Sequence, residues 1–160
     1  MKNKNAIGQV GEYYVAMELA KQGITSAYVG NFGIPVSADL IIRHNITLEI
    51  KTSVYGRSRT SSTHDNNIKS GGWSFTGLDA TASNFTILVL LEEDYTVFKT
   101  FFIETKKLTS QSIVYRRPTE QQIAESRERR GPSKASETRL TDWVENVVHL
   151  INHIDQASKL

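Results

Sequence analysis

Residues 85–91 (Phe-Thr-Ile-Leu-Val-Leu-Leu) form an apolar run that ends on the acidic triplet Glu92-Glu93-Asp94. A run of this length without polar alternation reads as a strand buried on both faces. It is far too short to span a bilayer. A strand of that kind needs neighbours on each side and cover above and below. The chain is therefore built round a central sheet. Glu92-Glu93-Asp94 supplies a turn, and Tyr95 to Ile103, rich in β-branched and aromatic residues, returns as a second strand.

The other elements follow from period and punctuation. Residues 6–22 read as a helix, with Ile7, Val10, Tyr14 and Met17 at helical spacing and Val15 and Leu19 widening the stripe. Asn5 is a plausible N-cap and Gly23 a C′ residue. Tyr28-Val29 is a candidate short strand within an irregular segment. Residues 38–43 and 46–53 read as strands around His44-Asn45, a hairpin. A polar loop covers 54–72, and Trp73 to Thr76 is a further short strand. Thr105 to Leu108 reads as a helical turn and 119–130 as a charged helix broken at Gly131-Pro132-Ser133. A last helix opens at Thr141, with Trp143, Val144, Val147, Val148, Ile151 and Ile154 on one stripe. The expected class is α/β: a central mixed sheet flanked by helices, with a C-terminal helical extension. At 160 residues it is expected to be a single domain, with its core at 6–104 and the extension at 105–160.

The chain has no cysteine, which excludes a disulfide framework and thiolate metal sites and fits a reducing, cytoplasmic setting. The N-terminus MKNKNAIGQVGE lacks the apolar core of a signal peptide. Net charge is only +2, but its distribution is uneven. Between Lys51 and Ser70, Lys51, Arg57, Arg59 and Lys69 face a single acid, Asp65; between Thr105 and Arg139, nine basic residues face four acids. Local basic zones on a nearly neutral chain suit a phosphate-binding surface. Arg57, Arg59, Lys69, Arg116, Arg117, Arg127, Arg129 and Arg130 are the candidate contacts to nucleic acid.

The chemistry concentrates in the hairpin. Alternation sets Glu49 and Lys51 on one face of their strand and Leu48 and Ile50 on the other. A tight turn of His44-Asn45 alone would mix apolar and polar sets. Pairing Leu40 with Ile50 and Ile42 with Leu48 gathers the apolar residues and sets Asp39 opposite Lys51, on the face of Glu49. That register requires a three- or five-residue loop or a bulge near His44. Two converging carboxylates favour a hard divalent cation with oxygen ligands, which Mg²⁺ satisfies. Such an ion polarises a phosphoryl oxygen and acidifies a bound water, and a nearby lysine offsets charge building on the phosphate. Without such a role, the pair is a cross-strand surface contact worth under about 1 kcal/mol. Glu12 lies on the first helix in line with Val15, Ala16 and Leu19. A carboxylate there is costly unless paired or bound to metal.

These residues resemble a known family. Gly8-x-x-Gly11-Glu12, Ala38-Asp39-Leu40 and Leu48-Glu49-Ile50-Lys51-Thr52-Ser53 look like the motif set of the PD-(D/E)XK nuclease superfamily. The similarity is greatest to small members related to archaeal Holliday junction resolvases and restriction-type endonucleases. Gly72-Trp73-Ser74-Phe75 and the strand pair 85–91 and 95–103 match the usual order of that core, so the resemblance covers roughly residues 6–104. One position departs: Ala38 stands where many members carry proline. The resemblance implies a restriction-endonuclease-like fold and Mg²⁺-dependent cleavage of DNA, with Mn²⁺ able to substitute. Asp39, Glu49 and the Ile50 carbonyl would hold the ion, Glu12 would assist it, and Lys51 would be catalytic. The alternatives are a DNA-binding module of the same fold that no longer cuts, and a partner-binding protein associating through its last helix. That helix is also the expected seat of a homodimer. His149 and His153, spaced i and i+4, could share a metal or an interface. His64 could contact DNA, and Trp73 could stack on a base or, more simply, pack in the core.

Overall fold

A computed structural model describes residues 4–29, 38–56, 72–117, 140 and 142–157. The first helix, α1, runs Lys4–Lys21. It ends in a Schellman motif: Gly23, at φ +76°, donates its N–H to the Ala20 carbonyl, and Ile24 donates to Leu19. Eight strands follow in chain order: β1 (Ala27–Tyr28), β2 (Leu40–Ile42), β3 (Ile46–Val54), β4 (Gly72–Phe75), β5 (Phe85–Leu91), β6 (Val97–Glu104), β7 (Ile113–Arg116) and β8 (Val144–Glu145). The last helix, α2, is Leu150–Ala157. The helical turn expected after Tyr95–Ile103 is a 3-10 segment, Thr105–Lys107.

The main sheet has six strands in the order β1-β2-β3-β5-β6-β8, mixed because β3 and β5 are parallel. All seven residues of β5 are buried, as the apolar run requires. Alternation along the central strands divides the core in two. Leu48, Ile50, Ile87, Val89 and Phe102 pack under α1 and α2 with Val15, Leu19, Leu150 and Ile154. On the opposite face, Leu88, Leu90, Phe101 and Ile103 pack under a two-stranded ribbon of β4 and β7 with Trp73, Phe75, Ile113 and Trp143. Both described helices therefore cover the same face, and the ribbon covers the other.

Several expectations shift. The hairpin pairs Leu40 with Leu48 and Ile42 with Ile46, two residues from the expected register, around a three-residue 3-10 loop, Arg43–Asn45. The parity survives, so apolar residues still gather on one face. In α1, Met17 is 46% exposed while Val15 and Leu19 are fully buried, so the inward stripe runs through Ile7, Gly11, Val15 and Leu19. The region after residue 104 contributes strands as well as a helix: β7 pairs with β4, and β8 adds an edge to β6. The last helix starts at Leu150 rather than Thr141. Asn146 sits at φ +76° and caps the Val148 N–H, which ends β8 and begins a 3-10 turn at Val147. Val147, Leu150, Ile151 and Ile154 are buried in the chain's own core. Most of the stripe that suggested a homodimer is thus internal, with Val148 left exposed. The expected charged helix at 119–130 lies outside the described residues. No described helix is long and apolar enough to cross a membrane.

Candidate active site

β2 begins at Leu40, and the chain bends at Asp39, just before it, where β3 continues past. The Asp39 N–H still donates to the Leu48 carbonyl, at 2.9 Å. One position on, the backbone ladder stops and a side chain replaces it: the Ile50 N–H donates to Asp39 Oδ2 at 2.6 Å. The Asp39 carboxylate is thereby held against the β3 backbone between Glu49 and Lys51. An extended residue turns its N–H and C=O to the same edge, so the Ile50 carbonyl also faces this bend.

Glu49 is 7% exposed and pairs in register with Thr86 of β5. Its Oε1 accepts from Lys51 Nζ at 2.9 Å, and its Oε2 is buried with no hydrogen-bond partner among the described residues. A buried carboxylate oxygen left unpaired costs about 1–3 kcal/mol or more, so an orphan of this kind calls for an explanation. Glu12 enters from α1. The helix can approach because residue 11 is glycine: a Cβ there would lie 1.9 Å from Thr52 Oγ1 on β3.

Burial raises the Glu12 carboxyl above its ordinary value, and the neighbouring Asp39 charge raises it further. Burial also raises Asp39, against the opposing pull of the Ile50 N–H and the Lys51 charge. Two acids that resist ionisation side by side, next to an acid with an orphaned oxygen, are a donor set that a divalent cation would relieve. No group of three or more His, Asp or Glu among the described residues is arranged as a ready-made metal cage. Mg²⁺ is commonly held by one or two carboxylates with waters and substrate phosphate completing its shell. Asp39, Glu49 and the Ile50 carbonyl are the residues that fit.

The structure brings Glu12, Asp39, Glu49 and Lys51 to one locality and sets other candidates apart. Arg117 is not a free phosphate contact. Its guanidinium lies 3.9 Å from the Phe98 ring centre and 5.0 Å from that of Trp73, and it forms an ion pair with Glu92. Arg116 is exposed at the end of β7. Arg57, Arg59, Lys69, Arg127, Arg129 and Arg130, with His64, lie outside the described residues. Trp73 is fully buried, and its indole N–H donates to the Leu91 carbonyl at 2.7 Å, so it is core and not a base-stacking surface. His153 sits 3.3 Å from Glu104 between Phe85 and Phe102, while His149 lies exposed in the 3-10 turn before α2. Tyr28, which β1 sets beside Leu40, and Thr52, which receives α1, adjoin these residues.

The architecture is an α/β fold with a mixed six-stranded sheet. A bacterial homing endonuclease of solved structure shares it, with a TM-score of 0.62 over 99% of both chains at 13% sequence identity. No protein-family model and no curated protein matches the sequence.

Proposed function

We propose that this chain is a divalent-metal-dependent DNA endonuclease of the PD-(D/E)XK kind, using Asp39, Glu49, Lys51 and Glu12. The observation that carries the reading is the Asp39 carboxylate held on the Ile50 N–H beside a buried Glu49 oxygen that lacks a partner. The fold shared with a homing endonuclease supports the same class.

In this reading Asp39, Glu49 and the Ile50 carbonyl would hold Mg²⁺, or Mn²⁺ in its place, with Glu12 assisting. Such an ion would supply polarisation of the scissile phosphate and a more acidic water. Lys51, already anchored on Glu49, extends its ammonium to the non-bridging oxygens and offsets the charge that grows as water adds to phosphorus. As water adds it gives up a proton to solvent, the P–O bond to the leaving strand end breaks, and the leaving oxygen takes up a proton from solvent.

Nicking of supercoiled plasmid in Mg²⁺ and in EDTA tests the assignment. The expected result is nicking that needs the ion and that falls at least about 100-fold in Lys51→Ala and Asp39→Ala, with DNA affinity retained. Undiminished nicking in both variants would remove these residues from the mechanism. Salt-dependent DNA binding without nicking in any divalent ion would leave the non-cutting module as the description.

A further inference from the structure

Beside the candidate site the structure carries two tyrosines that the chemistry above does not use. Tyr13 follows Glu12 on α1 and is 57% exposed, the most exposed large hydrophobic residue among the described residues. Tyr28 lies on β1, paired in register with Leu40, and the next residue, Val29, donates its N–H to the Asp39 carbonyl at 3.1 Å. The two rings meet edge to face, with centroids 5.8 Å apart at 88°. Tyr28 is half-buried against the core and fixes the pair, while Tyr13 turns a broad ring to solvent. Packing does not explain the exposed ring, since the inward stripe of α1 runs through Val15 and Leu19. The pair is thus anchored on one side and open on the other, with Tyr13 next to Glu12 in the chain and Tyr28 paired across the sheet with Leu40, the neighbour of Asp39.

We infer that Tyr13, braced by Tyr28, is a stacking platform for an unpaired nucleobase of the DNA next to the scissile phosphate. This rests on the nuclease reading and deepens it by naming the substrate class: DNA with an unstacked or unpaired nucleotide at the cut. Every base has a π-face, and stacking on an aromatic side chain contributes about 1–3 kcal/mol per base without sequence preference. A ring beside the carboxylates would hold the displaced base so that the adjoining phosphate meets the Asp39–Lys51 pocket. The phosphate and its cations supply the ionic part of the affinity, and Tyr13 supplies a part that salt does not screen.

The test is fluorescence anisotropy with the full chain and two DNAs, a short duplex with a central bulge of unpaired thymidines and the same duplex fully paired. Binding is measured in Ca²⁺ over a salt series, and nicking of the bulged DNA is measured in Mg²⁺. Tyr13→Ala is expected to weaken binding to the bulged DNA by about 5- to 100-fold with an unchanged salt slope and an unchanged affinity for paired duplex. Tyr13→Phe is expected to restore it, because the ring and not the hydroxyl does the work. Nicking by Tyr13→Ala should show a raised KM with kcat retained. Four results overturn the proposal: wild-type affinity in Tyr13→Ala, equal losses on both DNAs, a Phe variant as weak as Ala, or a change of oligomeric state in Tyr13→Ala that marks the ring as a contact between copies. Wild type that binds bulged DNA more tightly through Tyr13 but nicks nothing would sink the nuclease reading and leave the platform standing. Wild type that binds no DNA would sink both.

Discussion

At the scale of single residues, Asp39 does two things that conflict. Its carboxylate finishes the β3 hydrogen-bond ladder, and its burial beside Glu12 disfavours the ionised form that a metal needs. Because the folded chain raises the affinity of both acids for a proton, folding takes up protons between the ordinary carboxylate values and the raised ones. Their stabilising effect is complete below the ordinary values and is lost as pH rises through the raised values. Asp39→Asn keeps an acceptor for the Ile50 N–H and removes the charge. In metal-free buffer at neutral pH it is expected to melt above wild type, with the gap closing as pH falls toward the ordinary carboxylate range. Mg²⁺ should raise the melting temperature of wild type and leave that of Asp39→Asn unchanged, since an ion that binds only the folded protein stabilises it. Calorimetry with and without the ion decides this, and an Asn variant that gains as much from Mg²⁺ as wild type rules Asp39 out as a ligand. The acids and Lys51 were legible in the sequence because strand alternation and hairpin parity are local rules. Arg117 was not: its aromatic surroundings come from Tyr55, Trp73 and Phe98, distant in sequence and joined only by the fold.

At the scale of elements, the site depends on how closely α1 lies on β3. Gly11→Ala would drive a Cβ into Thr52 Oγ1 and to 3.1 Å from Thr52 Cβ. Thr52 is β-branched and stiff, so the helix must shift, at a cost of about 1–3 kcal/mol. The expected outcome is a lower melting temperature together with slower nicking, because Glu12 moves with the helix. Adding Thr52→Ala should recover part of both losses, a coupling that a double-mutant cycle reads directly. Additive losses would show that Gly11 acts through backbone propensity alone. The C-terminal segment hangs on Thr100: its carbonyl accepts from the Asn146 N–H at 2.7 Å, and its hydroxyl accepts from the buried Val147 N–H at 2.8 Å. Thr100→Val keeps the shape and orphans that N–H, which costs about 1–3 kcal/mol. Hydrogen exchange should then speed up first in residues 147–157. The boundaries of β8 and α2 were not legible because the apolar period of Val144, Val147, Val148 and Ile151 suits a helix. Two long-range events override it, the pairing of β8 with β6 and the positive φ of Asn146. The hairpin register slipped by two for a related reason. Ile46 and Leu48 serve as well as Leu48 and Ile50 to bury Ile42 and Leu40, so the pattern fixes parity and not offset.

On the scale of the whole molecule, the sequence shows basic zones but not how many of their charges stay available. The fold commits a share of them. Lys99 pairs with Glu145, Lys106 and Lys107 flank Glu104, Arg43 reaches Asp155, and Arg117 is held by Glu92. Composition therefore overstates the charge available to a phosphate, and neighbouring arginines of β7 and its exit differ in environment. Arg116 stands exposed opposite Gly72, at the end of the ribbon, whereas Arg117 covers the aromatic stack that closes the second core. Removing one should touch binding and removing the other should touch folding. Arg116→Ala is expected to reduce the slope of log affinity against log salt by about 1 without changing the melting temperature, as the loss of one phosphate contact requires. Arg117→Ala is expected to leave that slope unchanged and lower stability by about 1–3 kcal/mol, since it strips the cation–π contacts and leaves half-buried Glu92 without its cation. Melting curves and salt-series titrations of both variants separate the two tasks. A salt slope that falls in Arg117→Ala at wild-type stability would return Arg117 to the DNA surface and make the Glu92 pair incidental.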